Sequence, residues 1–157
     1  MQKTIAQEKS RLRKFTELSS KEKLTLVLAA NLMPVYWLGL KAFGIKRFSK
    51  MVFRPHSKIS ATVSIEELCA LGRIVNAAAT YTIGPNNCLV RSFVLQSLVS
   101  KRGISSDLRI GFLKKGNCLE AHAWVEKDGV PINDSPDVTE KFNVFEGAIH
   151  FSSFSKP

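Results

Sequence analysis

Cysteine is scarce in this sequence. Only three cysteines, Cys69, Cys88 and Cys118, occur in 157 residues; their number is odd, their spacings are long, and no two form a C-x-x-C pair. A secreted disulfide framework typically has an even number of cysteines, and a structural zinc site has closely spaced pairs of Cys or His ligands. The sequence therefore favours a reducing compartment with free thiols, and it predicts neither a bound metal nor a cofactor.

Acidic residues are scarce in the first third of the chain. Residues 1–58 contain 13 basic and three acidic side chains, a net charge of +10, whereas residues 59–157 contain 10 of each. This division predicts a basic, apolar-helical N-terminal region over 1–58 and a neutral domain over 59–157. The basic residues are not interleaved with a recognition helix or an RNA-binding motif, so we expect no nucleic-acid partner.

One long apolar run lies inside the basic region, at residues 24–45, with Lys41 as its only charge. A mixed-charge segment precedes it, which is not typical of a secretory signal. The run is long enough to span a bilayer, but Pro34, Lys41 and positive charge on both flanks argue against a span. We expect a pair of helices, bent or broken near Pro34 and again near Gly44, docked on the domain's own core. A helix at a membrane surface is the second interpretation, and a true span is the third.

The neutral region contains signals for both helices and strands, so we predict an α+β domain. Ser64 and Glu67 form a capping box that begins a helix ending near residue 80. Asn87 is predicted to cap a second helix, which begins at Cys88 and ends at a C′ glycine. Strands are predicted around residues 108–112, at 118–126 and at 130–134.

The start of the second helix is the position best suited to nucleophilic chemistry. The dipole and the unpaired amides of a helix N-terminus favour a thiolate, which is the reactive form of cysteine, and Cys88 lies there. The commoner role of a free cysteine is that of a small buried hydrophobic residue, which we expect for Cys69. The amides around Cys88 would serve as oxyanion donors, with the side chains of Asn87 and Gln96 as auxiliary candidates.

A predicted hairpin brings His122 and Asp134 together. If residues 127–129 form a three-residue loop, His122 lies directly opposite Asp134 on the next strand. Opposed residues have Cβ atoms ~4.5–5.5 Å apart, so the carboxylate could reach the imidazole and fix its tautomer. A shift of one residue would place another side chain opposite His122, so this hypothesis depends on the loop type. Without such a partner, His122 would be an ordinary surface histidine.

These three residues together match the roles of a nucleophile, a base and an orienting acid, as in a thiolate version of the catalytic triad. The triad is compatible with a peptidase or with another acyl or amide transferase or hydrolase, and the residues alone do not separate them. The alternative from a different class is a non-enzymatic basic module that binds a membrane or nucleic acid.

Several stretches resemble one known family, the leader peptidases of lasso-peptide biosynthesis, which are small transglutaminase-like cysteine proteases of bacteria. The stretches are NCLVRS at 87–92, RIG at 109–111, EAHAWVE at 120–126 and IND at 132–134, followed by Phe142 and Phe145. The resemblance covers roughly residues 60–146. It implies N-terminal helices followed by a transglutaminase/papain-like core, in which the catalytic cysteine at a helix N-terminus packs on an antiparallel sheet.

The resemblance also implies a task and its residues: Cys88 as nucleophile, His122 as general base and Asp134 as orienting group. They would cut the leader peptide from a ribosomally made precursor, so that a separate cyclase can close the macrolactam ring. Many fused members begin with a winged-helix-like domain that grips the leader. Residues 1–58 lack its strand pattern, so we expect the stand-alone form and a separate leader-recognition protein. The expected location is the bacterial cytoplasm, with membrane association through residues 24–45 as the alternative.

Overall fold

The computed structural model describes residues 18–53, 63–82 and 87–144. Its elements are α1 (Ser20–Val52), α2 (Ile65–Thr82), α3 (Cys88–Lys101), β1 (Asp107–Lys115), β2 (Cys118–Lys127), β3 (Val130–Pro131), α4 (Val138–Lys141) and β4 (Asn143–Val144). The strands form one sheet in the order β3-β2-β1-β4, and the pairs β1–β2, β2–β3 and β1–β4 are antiparallel. The proposed division at residue 58 lies in the segment 54–62, outside the described residues, and stays a prediction.

The N-terminal helix α1 is broken at Gly44 and continuous through Pro34. Gly44 has φ +69° and ψ 167°, a conformation that only glycine adopts without strain, and every other residue of α1 keeps helical angles. The break lets Phe48 turn back onto Gly39, where a Cβ atom would lie 2.1 Å from the Phe48 ring. The break predicted near Pro34 is not found, because Ala29, Met33 and Tyr36 pack on the core on both sides of the proline.

The core lies between α1, α2 and α3. Helix α3 is central and is buried on nearly all sides, since Ser92 to Val99 are all buried. Helix α2 begins at the predicted capping box, in which the Glu67 N–H donates to Ser64 Oγ at 3.2 Å. Its Gly72 is required by packing, because a Cβ atom there would lie 2.0 Å from the carbonyl oxygen of Ile132.

The C-terminal end of α3 follows the sequence prediction. Gly103 has φ +74°, its N–H donates to the Ser100 carbonyl at 2.9 Å, and the Ile104 N–H donates to the Val99 carbonyl at 3.3 Å. This pair of bonds is the Schellman motif, which satisfies carbonyl groups at the end of a helix. It turns the chain into β1, whose Leu108 is buried against the helices.

The hairpin between β2 and β3 differs from the predicted one. Its loop has two residues, Asp128 and Gly129, with φ of +51° and +80°, so Lys127 pairs with Val130 and Glu126 with Pro131. Positive φ at both loop residues is typical of a type I′ turn, for which Asp-Gly is a favoured sequence. The predicted three-residue loop, and with it the register that set His122 opposite Asp134, is therefore wrong. Strand β3 also ends at Pro131 instead of residue 134.

The side of α1 that faces away from α2 and α3 is apolar and exposed. We call this side the outer face; its members are Leu24, Val27, Leu28, Val35 and Leu38, which are between 46% and 71% exposed. By length and composition alone, α1 could cross a membrane, a test that core helices and signal sequences also pass. Only 17% of its most apolar segment is buried, so α1 is not enclosed like an ordinary core helix. The expected docking of a helix pair on the core is found, and it covers one side only.

Candidate active site

His122 and Asp134 are in direct contact although the predicted register is wrong. The distance from His122 Nε2 to Asp134 Oδ2 is 2.7 Å, and the two side chains are 20% and 24% exposed. The contact forms because the chain leaves the ladder after Pro131 and passes across the middle of α2, at Gly72 and Asn76. Asp134 thus reaches the imidazole from a bend instead of from a paired strand.

Cys88 completes the group from the first turn of α3. Its thiol and the His122 imidazole share a hydrogen bond, and the backbone N–H of Ala123 donates to the same sulfur. Because His122 Nε2 bonds Asp134, Nδ1 is the ring nitrogen that remains for Cys88. The three residues come from a helix start, a strand and a bend, and the structure brings them together in the order Cys88, His122, Asp134.

The electrostatics of the group favour a charged pair. Burial opposes ionisation of Cys88, but hydrogen bonds from His122 and Ala123 and the positive charges of His122 and Arg91 lower the pKa of the thiol. The hydrogen bond to Asp134, assisted by Cys88, raises the pKa of His122 from 6.5 to about 9. Burial opposes ionisation of Asp134 as well, but the bonds from His122 and the Ser135 N–H lower its pKa. These shifts all favour the charged forms, namely a thiolate, an imidazolium and a carboxylate.

A buried asparagine holds the Asp134 bend in place. Asn133 Oδ1 accepts from the Val125 N–H at 2.8 Å, and its Nδ2 donates to Ser92 Oγ at 3.1 Å. Its carbonyl accepts from Asn76 Nδ2 at 2.8 Å. Asn133 thus ties the bend to β2, α3 and α2 at once. Sequence reasoning missed this role, because nothing local distinguishes an asparagine that bonds three distant elements.

Aromatic rings fix the plane of the His122 imidazole. The Phe142 ring lies 5.0 Å from it at an interplanar angle of 28°, and the Trp124 ring lies 6.2 Å away at 23°. Trp124 is fully buried, and its Nε1 donates to Glu126 Oε1 at 2.7 Å. Gly111 admits both rings, since a Cβ there would lie 2.8 Å from Phe142 Cβ and 2.9 Å from Trp124 Cη2.

The two auxiliary candidates, Asn87 and Gln96, lie at different distances from Cys88. Asn87 occupies the predicted cap position directly before Cys88, but its side chain makes no capping hydrogen bond to α3. Gln96 is not brought to the site: its Nε2 donates to the Ser106 carbonyl at 3.0 Å. It follows Cys88 by eight residues of α3, which corresponds to roughly 12 Å along a helix. The periodicity of α3 could have indicated this, because Gln96 lies more than two turns from Cys88.

None of the other cysteines and histidines is described next to Cys88, His122 and Asp134. Cys69 is half-buried and packs against the core, as predicted, and Cys118 is exposed at the start of β2. His56, His150 and Phe145 lie outside the described residues. Among residues 18–53, 63–82 and 87–144, no three His, Cys, Asp or Glu side chains cluster as a metal site would need.

Comparison with known proteins identifies the family. The family described as the transglutaminase-like superfamily matches residues 38–146, which is more than half of the chain. The microcin J25-processing protein McjB of Escherichia coli is 34% identical over 59 residues, which are 38% of this chain and 27% of McjB. The chain thus matches little more than a quarter of that relative's length. No solved structure gives a significant match. The predicted α+β fold class is confirmed, and the chain belongs to the transglutaminase-like superfamily.

Proposed function

We propose that this protein is a cysteine peptidase that removes the leader peptide from a ribosomally synthesised lasso-peptide precursor. The observation that carries the proposal is the arrangement of Cys88, His122 and Asp134, with the 2.7 Å contact between the last two. The relative McjB, whose name describes the processing of microcin J25, supports the substrate class. The roles are nucleophile for Cys88, general acid and base for His122, and orienting group for Asp134.

In the first half of the reaction, the Cys88 thiolate attacks the carbonyl carbon of the scissile peptide bond. The electron pair moves to the carbonyl oxygen, and backbone N–H groups at the start of α3 would stabilise the oxyanion. The His122 imidazolium then gives its proton to the nitrogen of the leaving amine as the C–N bond breaks. The products are a free amine and a thioester on Cys88.

In the second half, water replaces the amine. Neutral His122 takes a proton from the water, and the resulting hydroxide attacks the thioester carbon. Collapse of this second tetrahedral intermediate breaks the C–S bond and releases a carboxylate, which restores the thiolate and imidazolium pair. Asp134 carries a negative charge throughout and keeps Nε2 of His122 protonated.

The second candidate function is acyl or amide transfer. Membership of the transglutaminase-like superfamily supports it, because the same thioester can be resolved by an amine instead of water. The two functions differ in the fate of the acyl group and not in the residues used. The product of the second step therefore distinguishes them.

The proposal includes partners beyond the precursor itself. A separate leader-recognition protein would present the leader, and the lasso cyclase would take the cleaved product. The outer face of α1 is assigned to an anionic membrane surface. It is apolar, Lys21 and Lys23 lie at one end of the helix, and Lys41, Lys46 and Arg47 lie near the other. Such basic flanks complement anionic lipid headgroups.

The test is a cleavage assay on the precursor peptide with its recognition protein, analysed by mass spectrometry. We expect the wild-type protein to release a leader with a free carboxylate, and Cys88→Ala to release none while keeping its circular dichroism spectrum. Cys118→Ala is the matched control, since this exposed cysteine lies outside the site. Cleavage by Cys88→Ala would overturn the assignment of the nucleophile. Incorporation of an added amine at the cut site would establish the transferase instead.

A further inference from the structure

Among residues 18–53, 63–82 and 87–144, nothing pairs with one edge of β2 beside the candidate nucleophile. On one side, β2 pairs with β1 from Cys118 to Glu126. On the other side, β3 pairs only with Glu126 and Lys127, and the bend after Pro131 reaches no further than Val125. The first residues of β2 are exposed; Leu119 is 69% exposed. An open strand edge next to a reactive group is a place where an extended peptide can bind.

The register tells which backbone groups of β2 point to this edge. The β1–β2 turn has two residues, so Lys115 and Cys118, which flank it, form a hydrogen-bonded pair. Alternation then makes the even-numbered residues of β2 bond to β1 and turns the odd-numbered ones to the other edge. The Val125 carbonyl, which accepts from the Ile132 N–H at 2.9 Å on the β3 side, agrees with this assignment.

Cys88 occupies the position of a neighbouring strand on this edge. The Ala123 N–H donates to the Cys88 sulfur, and the Ala123 carbonyl accepts from Ser92 Oγ at 3.0 Å. The next odd-numbered residues toward the start of β2 are Ala121 and Leu119. Their outward N–H and C=O groups make no hydrogen bond with any residue in the described part of the chain. The sulfur and these free groups therefore follow one another along a single edge.

We propose that the precursor segment adjoining the scissile bond binds as an added β-strand along β2, hydrogen-bonded to Leu119 and Ala121. The inference rests on the proposed peptidase function and specifies how that substrate is held. Alternate residues of a strand repeat every ~6.8 Å, so a peptide in register with Leu119 and Ala121 brings its next position to the Cys88 sulfur at Ala123. Main-chain hydrogen bonds supply the affinity, so the edge recognises an extended backbone more than a particular side chain.

The first test removes one donor of this edge. Leu119→Pro deletes the outward N–H and blocks the edge with its ring, while the β1 ladder loses nothing because Leu119 does not bond to β1; proline is tolerated on edge strands. Leu119→Ala is the matched control, which removes the exposed side chain and keeps the N–H. With a synthetic precursor peptide presented by its recognition protein, we expect kcat/KM to fall roughly tenfold for Leu119→Pro. The fall should lie mainly in KM, and it should be several-fold larger than any change in Leu119→Ala, which keeps the N–H.

The second test changes the peptide and leaves the protein intact. Single N-methyl groups are placed at successive residues of the same synthetic peptide. Strand addition predicts an alternating pattern, in which methylation of every second nitrogen weakens cleavage and methylation between them does not. A uniform response, or equal kcat/KM for Leu119→Pro and wild type, would overturn the added strand while leaving the peptidase function standing. Absence of cleavage by the wild-type protein would instead overturn the proposed function. Alkylation of Cys88 by iodoacetamide, mapped by mass spectrometry, checks that Leu119→Pro keeps a reactive thiol.

Discussion

The β2 region and the outer face of α1 depart from the ordinary rule of burial in opposite ways. In the β2 region, the polar residues Ser92, Glu126 and Asn133 are buried, whereas on the outer face Leu24 and Leu38 are mostly exposed. Buried polar groups cost free energy unless they are hydrogen-bonded, and exposed apolar groups gain none until something covers them. The two regions are therefore departures from the same rule with different compensation. One is compensated within the chain, and the other would be compensated by the membrane surface proposed above.

The hydrogen bonds that satisfy the buried polar residues also fix the positions of the elements that carry them. Each of the three buried polar residues has a partner at hydrogen-bond distance: Ser92 bonds the Ala123 carbonyl, Asn133 bonds Ser92 and Val125, and Glu126 bonds Trp124 and Arg109. The bonds of Ser92 and Asn133 are directional, so they fix β2 and the Asp134 bend against α3 more tightly than apolar packing would. Hydrogen bonds of this kind hold catalytic side chains in their productive positions. The outer face of α1 has no comparable bonds and sets no geometry.

The largest effect should come from a substitution in the β2 region that removes the charge of Asp134. Asp134→Asn keeps the size of the side chain but cannot hold His122 in its protonated state. We expect kcat to fall by roughly 10²–10⁴-fold with little change in KM, as in other triads that lose the orienting carboxylate. Asp137→Asn is the matched control, because Asp137 is exposed and pairs with Lys141. Unchanged turnover in Asp134→Asn would remove Asp134 from the mechanism.

The pH profile of the same variant separates orientation from a merely structural role. The His122 pKa of about 9 lies above the ordinary 6.5, so the folded protein keeps the imidazolium up to about pH 9. The proton needed by the leaving amine is lost as the pH rises through that value, and wild-type activity should fall there. In Asp134→Asn the main cause of the raised pKa is gone, so the high-pH limb should move down toward the ordinary value. A limb that stays in place would show that Asp134 does not control the protonation of His122.

A smaller effect, on stability, should follow when an asparagine is replaced by alanine in each of the two regions. Asn133→Ala leaves the Val125 N–H without its partner, and a buried group left unsatisfied costs about 1–3 kcal/mol of stability. Asn31→Ala on α1 removes only a 2.7 Å bond to the Val27 carbonyl of the same exposed helix. Alanine is the better helix former, so we expect a change within about 0.5 kcal/mol. Urea unfolding measures both, and equal losses would contradict the contrast between the regions.

The sequence predicts local features of both regions and misses the bonds between distant elements. The helix start at Cys88, the capping box at Ser64 and the break at Gly44 each depend on a few neighbouring residues, and each is found. The capping box of Ser19 and Glu22 at the start of α1 has an equally local signal, S-x-x-E, and could have been predicted.

The contact between His122 and Asp134 was predicted by a register that is wrong. Asp128-Gly129 is a local signal for a two-residue turn, and it sets the true register. The bend that brings Asp134 to His122 depends instead on Asn133, whose partners are 8 to 57 residues away along the chain. No periodicity or propensity carries this information, since tertiary hydrogen bonds are not encoded in a local pattern. The IND stretch at 132–134 points to Asp134 through the family resemblance, but it does not show how Asn133 brings Asp134 to His122.

The smallest effect on the protein itself should come from the outer face of α1. Leu38→Glu and Leu119→Glu each place a charge at an exposed leucine, one on α1 and one on β2, and both should leave stability within about 0.5 kcal/mol of wild type. Only Leu38 belongs to the proposed membrane surface. We expect the wild-type protein and Leu119→Glu to co-sediment with vesicles containing phosphatidylglycerol, and Leu38→Glu to bind roughly tenfold more weakly because it loses apolar contact and repels the anionic surface. Binding should also weaken in 0.5 M NaCl, since screening reduces the attraction of the flanking lysines. Equal binding of the two variants would assign the outer face to a protein partner, and its departure from the rule of burial would then be compensated by another chain and not by lipid.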